Sequence, residues 1–270
     1  MAWFTRSSRL TILTAALTLG LAVNLPSQVQ AQLRTASLGS QLPDRWEFTA
    51  PRGPNGESPV NRDSGGTRSP NNKDCIPETQ LNPSVLALAP SGTGTTAAEY
   101  PTISWYMPAT RASQVNFVLK DANQRQIYSA TYTLAKSARG FTPSGIMSLT
   151  LPAFTNLSPL KIGEDYHWEV ALNCNDPTDS SDDIVVEGWI QRVAPNPTLA
   201  SEIQRATPQK RVALYAKEQL WYETVKTLAE LQRNSPEDPE VVEAWNKLLK
   251  SVGLKPIFSA PERNTLSGRN

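Results

Sequence analysis

The sequence predicts a mainly β chain with an α-helical C-terminal part: an immunoglobulin- or fibronectin-like β-sandwich followed by a small region of helical hairpins. Three observations carry this. Tyr166 to Cys174 alternates Tyr166, Trp168, Val170, Leu172 and Cys174 with His167, Glu169, Ala171 and Asn173, the period of a strand with one buried face. Leu160 to Asp165 forms a loop that delivers Tyr166 to the start of that strand, with a Cys further along, which is the imprint of a structural tyrosine corner. After Pro195 and Pro197 the apolar period changes from 2 to 3.6.

The N-terminus is set aside first. Arg6 and Arg9 precede an uncharged apolar run from Leu10 to Val23, Pro26 breaks it, and Val29-Gln30-Ala31 offers a small-residue cleavage site. Residues 1–31 therefore read as a secretory signal peptide, the rival being a retained anchor, although the run is short for the ~20 residues of a membrane span. No later segment is apolar enough to span a bilayer, so the expected location is periplasmic or extracellular. Cleavage leaves 24 basic against 25 acidic residues. A near-neutral chain has no electrostatic reason to bind nucleic acid.

Residues 32–74 are rich in Pro, Gly, Asn, Ser and Arg and read as a disordered arm. Within it, Arg62, Gly65, Gly66 and Arg68 could form an anion- or carboxylate-binding nest, set against an ordinary flexible linker. The sandwich spans 75–194. Its strands are expected at Ser84–Ala89, which Pro90-Ser-Gly-Thr-Gly closes as a turn, Thr102–Met107, Gln114–Asp121, Gln126–Leu134, Gly145–Leu151, 165–174 and Ile184–Val193. Tyr128, Ala130, Tyr132 and Leu134 share one face, and Trp105 is the expected sandwich Trp. Cys75 and Cys174 are the only cysteines, and in an oxidising compartment they read as one disulfide; two free buried thiols are the alternative.

The helical region, 195–255, contains helices at Thr198–Ala206, Pro208–Lys217, Trp221–Arg233 and Glu240–Val252, the last stopped by Gly253. They could pack against the sandwich or present a groove, with Trp221 and Tyr222 as possible interaction residues, although the helical spacing of Trp221 favours a core position. The half-repeat character of 208–252 distantly resembles tetratricopeptide hairpins, which bind peptides. Residues 256–270 read as a flexible tail.

Signals of chemistry are sparse. His167 is the only histidine and alternates away from the buried face, toward solvent, without a nucleophile elbow or orienting acid. Asp176, Asp179, Asp182 and Asp183 are candidate calcium ligands, but their spacing fits no helix-loop-helix site and reads as a solvated acidic turn. No phosphate-binding Gly loop or Cys-x-x-Cys occurs, so no cofactor is expected.

One resemblance is specific. Asn61-Arg-x-x-Gly-Gly-Thr-Arg68 precedes a Cys, followed by Tyr100-Pro-Thr-Ile-Ser-Trp-Tyr-Met-Pro108, Gly145-Ile146, Leu151-Pro152, Tyr166-His-Trp, Cys174, Gly188-Trp-Ile-Gln-Arg192, Trp221-Tyr222, Trp245 and Leu248-Leu249. Over roughly 51–255 this order resembles a family of exported cyanobacterial proteins catalogued only as a domain of unknown function. The resemblance implies an exported bacterial protein and brings no activity or ligand. Together these readings point to a non-catalytic interaction protein of the cell envelope whose partner is another exported or envelope protein. A carbohydrate- or envelope-binding module is the alternative, and a metal-dependent hydrolase using the acidic loop a minor one.

Overall fold

The Val/Ile/Trp alternation of the central segments builds two sheets. The computed structural model describes residues 41–43, 45–49, 62–63, 75–77, 84–153, 157–174 and 183–258, all within one compact unit, Ser40–Asn270. The strands are β1 (Leu86–Ala87), β2 (Thr93–Thr96), β3 (Thr102–Met107), β4 (Gln114–Asp121), β5 (Gln126–Thr133), β6 (Gly145–Thr150), β7 (Asp165–Asn173) and β8 (Ile184–Arg192); the helices are α1 (Pro197–Arg205), α2 (Pro208–Lys217), α3 (Trp221–Asn234) and α4 (Pro239–Ser251). One sheet has the order β1-β3-β6 and the other β2-β8-β7-β4-β5. The chain is thus mainly β with an α C-terminal part.

Each expected strand is present, and β2 is an additional one. Pro90 to Gly94 reads as a turn in sequence, yet Thr93–Thr96 pairs in parallel with β8. Gly94 marks a close approach rather than a turn: a Cβ there would lie 2.9 Å from Tyr222 Cε2 and 3.3 Å from Trp221 Cδ1. The expected first strand contracts to Leu86–Ala87. On β5 the inward face is only partly covered, with Leu134 buried but Tyr132 39 % exposed, because β5 is the outer strand of a five-stranded sheet facing one of three.

The helix boundaries agree with the sequence to within about one residue, for local reasons. Asn196, Thr207 and Asp238 cap α1, α2 and α4 with side-chain oxygens, each followed by a Pro at the first helical position. Gly253, at φ 76°, ends α4, its N–H bonding to Lys250 O and that of Leu254 to Leu249 O.

Cys75 and Cys174 form a disulfide. It ties the segment before β1 to the end of β7 across 99 residues, and closing a loop of that size stabilises by at most about 4.7 kcal/mol in the chain-entropy model. Tyr166 is buried, its hydroxyl accepting from Lys161 N at 3.0 Å and donating to Glu164 Oε2 at 3.2 Å. The tail is not loose at its start, since Ile257 is buried and Phe258 packs beside Trp245 at 6.1 Å.

The helices and the sandwich share one core. Trp105 is buried in β3, but the central Trp is Trp168, fully buried against Gly188, where a Cβ would come within 2.5 Å of its ring. Trp168 Nε1 donates to Tyr222 Oη at 2.7 Å, Tyr222 donates to Trp189 O at 2.9 Å, and Trp221 Nε1 donates to Leu88 O at 2.8 Å. Trp221 and Tyr222, named above as possible contact residues, are each 1 % exposed. They join α3 to the sheets and are not available to a partner.

Two outcomes follow from this shared core. A chain ending before Pro195 should lose its cooperative denaturation transition, because Trp168 and Leu88 lose both cover and hydrogen-bond partners. Tyr222→Phe keeps the ring but orphans a buried indole N–H and a carbonyl, and should cost about 2–4 kcal/mol in urea denaturation; a loss under about 0.5 kcal/mol would contradict the account.

Candidate functional site

The helical part holds an extended segment of the chain's own N-terminal arm. Although residues 32–74 read as disordered, Leu42 and Trp46 are buried in the main core, and Phe48 packs edge-on against Trp221 with centroids 4.8 Å apart. Trp46 is thus seated in the core and Phe48, two residues on, against the start of α3. Thr207 Oγ1 donates to Gln41 Oε1 at the segment's start.

The backbone of this segment is read by one side chain. Gln219 Oε1 accepts from Thr49 N at 2.8 Å, and Gln219 Nε2 donates to Glu47 O at 2.6 Å. Such pairing satisfies one donor and one acceptor of an extended chain without reading its sequence, the role a neighbouring strand plays in strand addition. Gln219 lies in the link between α2 and α3, with φ 61°. Its N–H bonds to Ala216 O and that of Leu220 to Tyr215 O, the double closure of a helix end whose left-handed position Gly usually fills. A non-Gly residue there costs roughly 1–2 kcal/mol, so the side chain's use is the reason to keep it.

Strand β2 fixes this link from below. Thr95 Oγ1 donates to Gln219 O at 2.5 Å and Thr96 Oγ1 to Glu223 Oε1 at 2.6 Å. The same Glu223 oxygen accepts from Ala97 N at 3.0 Å and Ala98 N at 3.2 Å. Glu223 thereby ties the first turn of α3, whose N-cap Leu220 makes no side-chain bond, to the end of β2. Burial holds its carboxyl above the usual carboxylate range, against the lowering effect of the Thr96 hydroxyl and the two amides. Beside the clamp lies a cleft of about 430 Å³ with Arg45 and Glu47 on one wall and Ala213, Ala216 and Lys217 on the other.

The remaining candidates are placed as follows. Arg62 is not free for an anion: its Nη1 donates to Val252 O at 2.9 Å and Ala89 O at 3.3 Å, joining the end of α4 to the sandwich. Burial lowers its pKa, ahead of the raising effect of Asp63. Asp183 accepts from Asn173 Nδ2 with both oxygens, at 2.9 and 2.8 Å, and so closes the β7–β8 connection. The expected signal peptide, Gly65, Gly66, Arg68, Asp176, Asp179 and Asp182 lie outside the described residues. A second cleft, of about 350 Å³ near Tyr166, is lined by charges that pair with one another, Arg125 with Asp121 at 2.9 Å and Lys161 with Glu164 at 3.1 Å.

Sequence reasoning missed Gln219, for which the only signal was a polar residue in the short α2–α3 link. It also misplaced His167, which is 8 % exposed and stacked on Trp189 rather than in solvent; opposite-strand neighbours are invisible to an alternation pattern.

A family model described as Domain of Unknown Function (DUF928) matches residues 63–262. The chain belongs to this family. The DUF928 match covers both the sheets and the helices, in keeping with their common core. No functionally curated protein matches the chain. Among solved structures, it is similar to the apo structure of Bacteroides uniformis beta-glucuronidase 3, with 10 % identity and a TM-score of 0.21 over 40 % of this chain and 12 % of that one. A Parabacteroides merdae beta-glucuronidase with glycerol in its active site gives 11 % identity and a TM-score of 0.20 over 41 % and 14 %. The chain therefore spans less than a sixth of the length of these solved chains, and likeness at this level carries no functional argument.

Glu223 gives a pH-dependent outcome. A carboxyl whose folded pKa lies above its unfolded value of 4.5 contributes stability that is complete below that value and lost as pH rises through the folded pKa. Glu223→Gln keeps an acceptor for Thr96 and the two amides and removes the buried charge. The stability of wild type minus that of Glu223→Gln should therefore fall as pH rises above about 4.5. Urea denaturation at pH 4 and pH 8 measures this, and a difference that is flat or rises with pH would refute it.

Proposed function

We propose that the chain is an exported, non-catalytic interaction protein whose helical part captures an extended, aromatic-bearing segment of another envelope protein. The observation that carries the reading is the Gln219 clamp: a conformationally costly side chain pairs with the main chain of residues 47–49 while Trp46 and Phe48 supply apolar anchors. Main-chain pairing gives affinity and side-chain pockets give selectivity in this mode of recognition. The chain's own segment 41–49 is the resident ligand, and its covalent tether gives it a high effective concentration. A partner therefore needs either a tighter segment or release of the arm.

The carbohydrate-binding alternative calls for a flat row of exposed aromatics. Among the described residues the exposed large apolar side chains are Tyr132 and Ile162, which do not supply one.

The test supplies the segment in trans. A chain beginning at Pro51 should bind a labelled Gln41–Ala50 peptide saturably. Peptides with Trp46→Ala or Phe48→Ala should bind at least about tenfold more weakly, the loss expected for a buried aromatic anchor. Gln219→Gly should also weaken binding while leaving thermal stability equal or higher, because Gly relieves the left-handed strain. Absence of peptide binding overturns the reading. So does a chain from Pro51 that cannot fold, because the segment would then be a fixed part of the core.

A further inference from the structure

The outer face of the five-stranded sheet carries a donor set unconnected with the peptide clamp. His167 and Glu169 are two apart on β7 and share this face. On β8, Glu187 is the direct register partner of Glu169, and Trp189 that of His167. His167 Nε2 lies 3.1 Å from Glu187 Oε2, and Nδ1 lies 3.6 Å from Glu169 Oε1. One ligand atom from each of the three residues falls within 4.8 Å of the others. The His167 and Glu187 side chains are only 10 % and 13 % exposed.

Two glutamates directly opposite each other on one sheet face repel, and partial burial strengthens that repulsion. The face therefore calls for positive charge. Lys120, one strand over on β4, supplies part of it, with Nζ 2.5 Å from Glu169 Oε1; the imidazole edge faces Glu187.

We propose that His167, Glu169 and Glu187 form a binding site for one divalent transition cation of the zinc class. Zinc takes imidazole nitrogen at about 2.0–2.1 Å and carboxylate oxygen at about 2.0–2.2 Å, so two of its ligand atoms stand roughly 3–3.5 Å apart. The separation of His167 Nε2 from Glu187 Oε2 is already in that range. Glu169 now lies at the Nδ1 edge, 3.6 Å away, and joins by turning its carboxylate from that edge and from Lys120 toward the ion, Lys120 moving out to solvent. Nε2 binds through its lone pair as part of a neutral imidazole, whose single proton is then held on Nδ1. Two carboxylates then balance the dication, and the fourth position is left to water.

The surroundings fit this role. Gln124 Oε1 lies 3.4 Å from His167 Nδ1, where it can accept the N–H and so leave the Nε2 lone pair facing Glu187. Gln124 is held at φ 62° at the tip of the β4–β5 turn, an uncommon conformation for a residue other than Gly. Trp189 stacks on the imidazole with centroids 4.6 Å apart and planes at 19°, fixing the ring's orientation. A nitrogen donor favours zinc-class ions over calcium or magnesium, which take all-oxygen sets.

The composition makes the test unambiguous. His167 is the only histidine, and both cysteines are in the disulfide, so in a chain without a polyhistidine tag any nitrogen-ligated zinc must sit here. Histidine-selective ¹⁵N labelling gives one pair of ring nitrogen resonances. Zinc chloride added at pH 7.5 should saturate at one equivalent and shift Nε2 more than Nδ1. In calorimetry, Glu187→Gln should weaken binding at least about tenfold. Lys120→Met should tighten it by freeing Glu169. Millimolar magnesium should leave the ring resonances in place. Ring resonances unmoved by excess zinc would overturn the proposal, as would equal zinc affinity in wild type and Glu187→Gln. If Glu187→Gln does not fold, the wild-type ring resonances decide alone.

Discussion

The hydrogen-bonded relay from Trp168 through Tyr222 to the backbone of Trp189 is the constraint on which the molecule depends. A fully buried indole N–H without an acceptor costs about 1–3 kcal/mol, and in this sheet its acceptor is a phenol from a helix more than fifty residues on. That requirement brings the start of α3 into the sandwich. It also explains two glycines. Gly188 leaves room for the Trp168 ring, and Gly94 lets Tyr222 and Trp221 reach past β2. Either position with a side chain would push apart the elements the relay joins.

Once α3 is seated this way, the rest of the helical part has little freedom. Its first turn faces β2, so Thr95 and Thr96 bond to the α2–α3 link and to Glu223. The link must turn sharply to bring α2 back, which forces the left-handed residue that is Gln219. The place where the arm segment is gripped is thus a consequence of core packing. It explains why a side chain in the link can act as a rigid clamp: its own carbonyl and the helix turn after it are bonded to one strand, and its N–H to the end of α2.

Much of this was readable from the sequence, and the unread part has a common cause. Period and breakers located β3, β4, β7, β8 and all four helices, because those signals are local: Pro195 and Pro197 mark the switch to helical period, Pro208 opens a helix and Gly253 stops the last, and the structure adds the capping side chains Asn196, Thr207 and Asp238. The disulfide was readable because two cysteines allow one pairing. What was missed depends on distant partners. Gly94 looked like turn chemistry because nothing nearby announces that Tyr222 will lie on it. The helical spacing of Trp221 favoured a core position, which its burial bears out, but the possible contact role of the Trp221-Tyr222 pair could not be settled until the surface they meet was known. Arg62 looked like an anion ligand, but its guanidinium is consumed by the carbonyls of Ala89 and Val252. Gln219 and His167 carried no motif, since one acts through its backbone conformation and the other through the facing strand.

Trp189 connects the two faces of the sheet and sets their relation. Its carbonyl receives the Tyr222 hydroxyl from the helix side, and its ring stacks on His167 on the other face. The backbone position of β8 at this point is therefore fixed by the buried relay, and the ring that orients the imidazole inherits that position. Glu187, two residues earlier on the same strand, is placed by the same register against Glu169 and His167. The two facing carboxylates repel, and Lys120 and His167 answer them on this face. The arrangement is held in place by the same hydrogen bonds that seat α3, so whatever occupies this face meets donors positioned by the core rather than by flexible surface side chains.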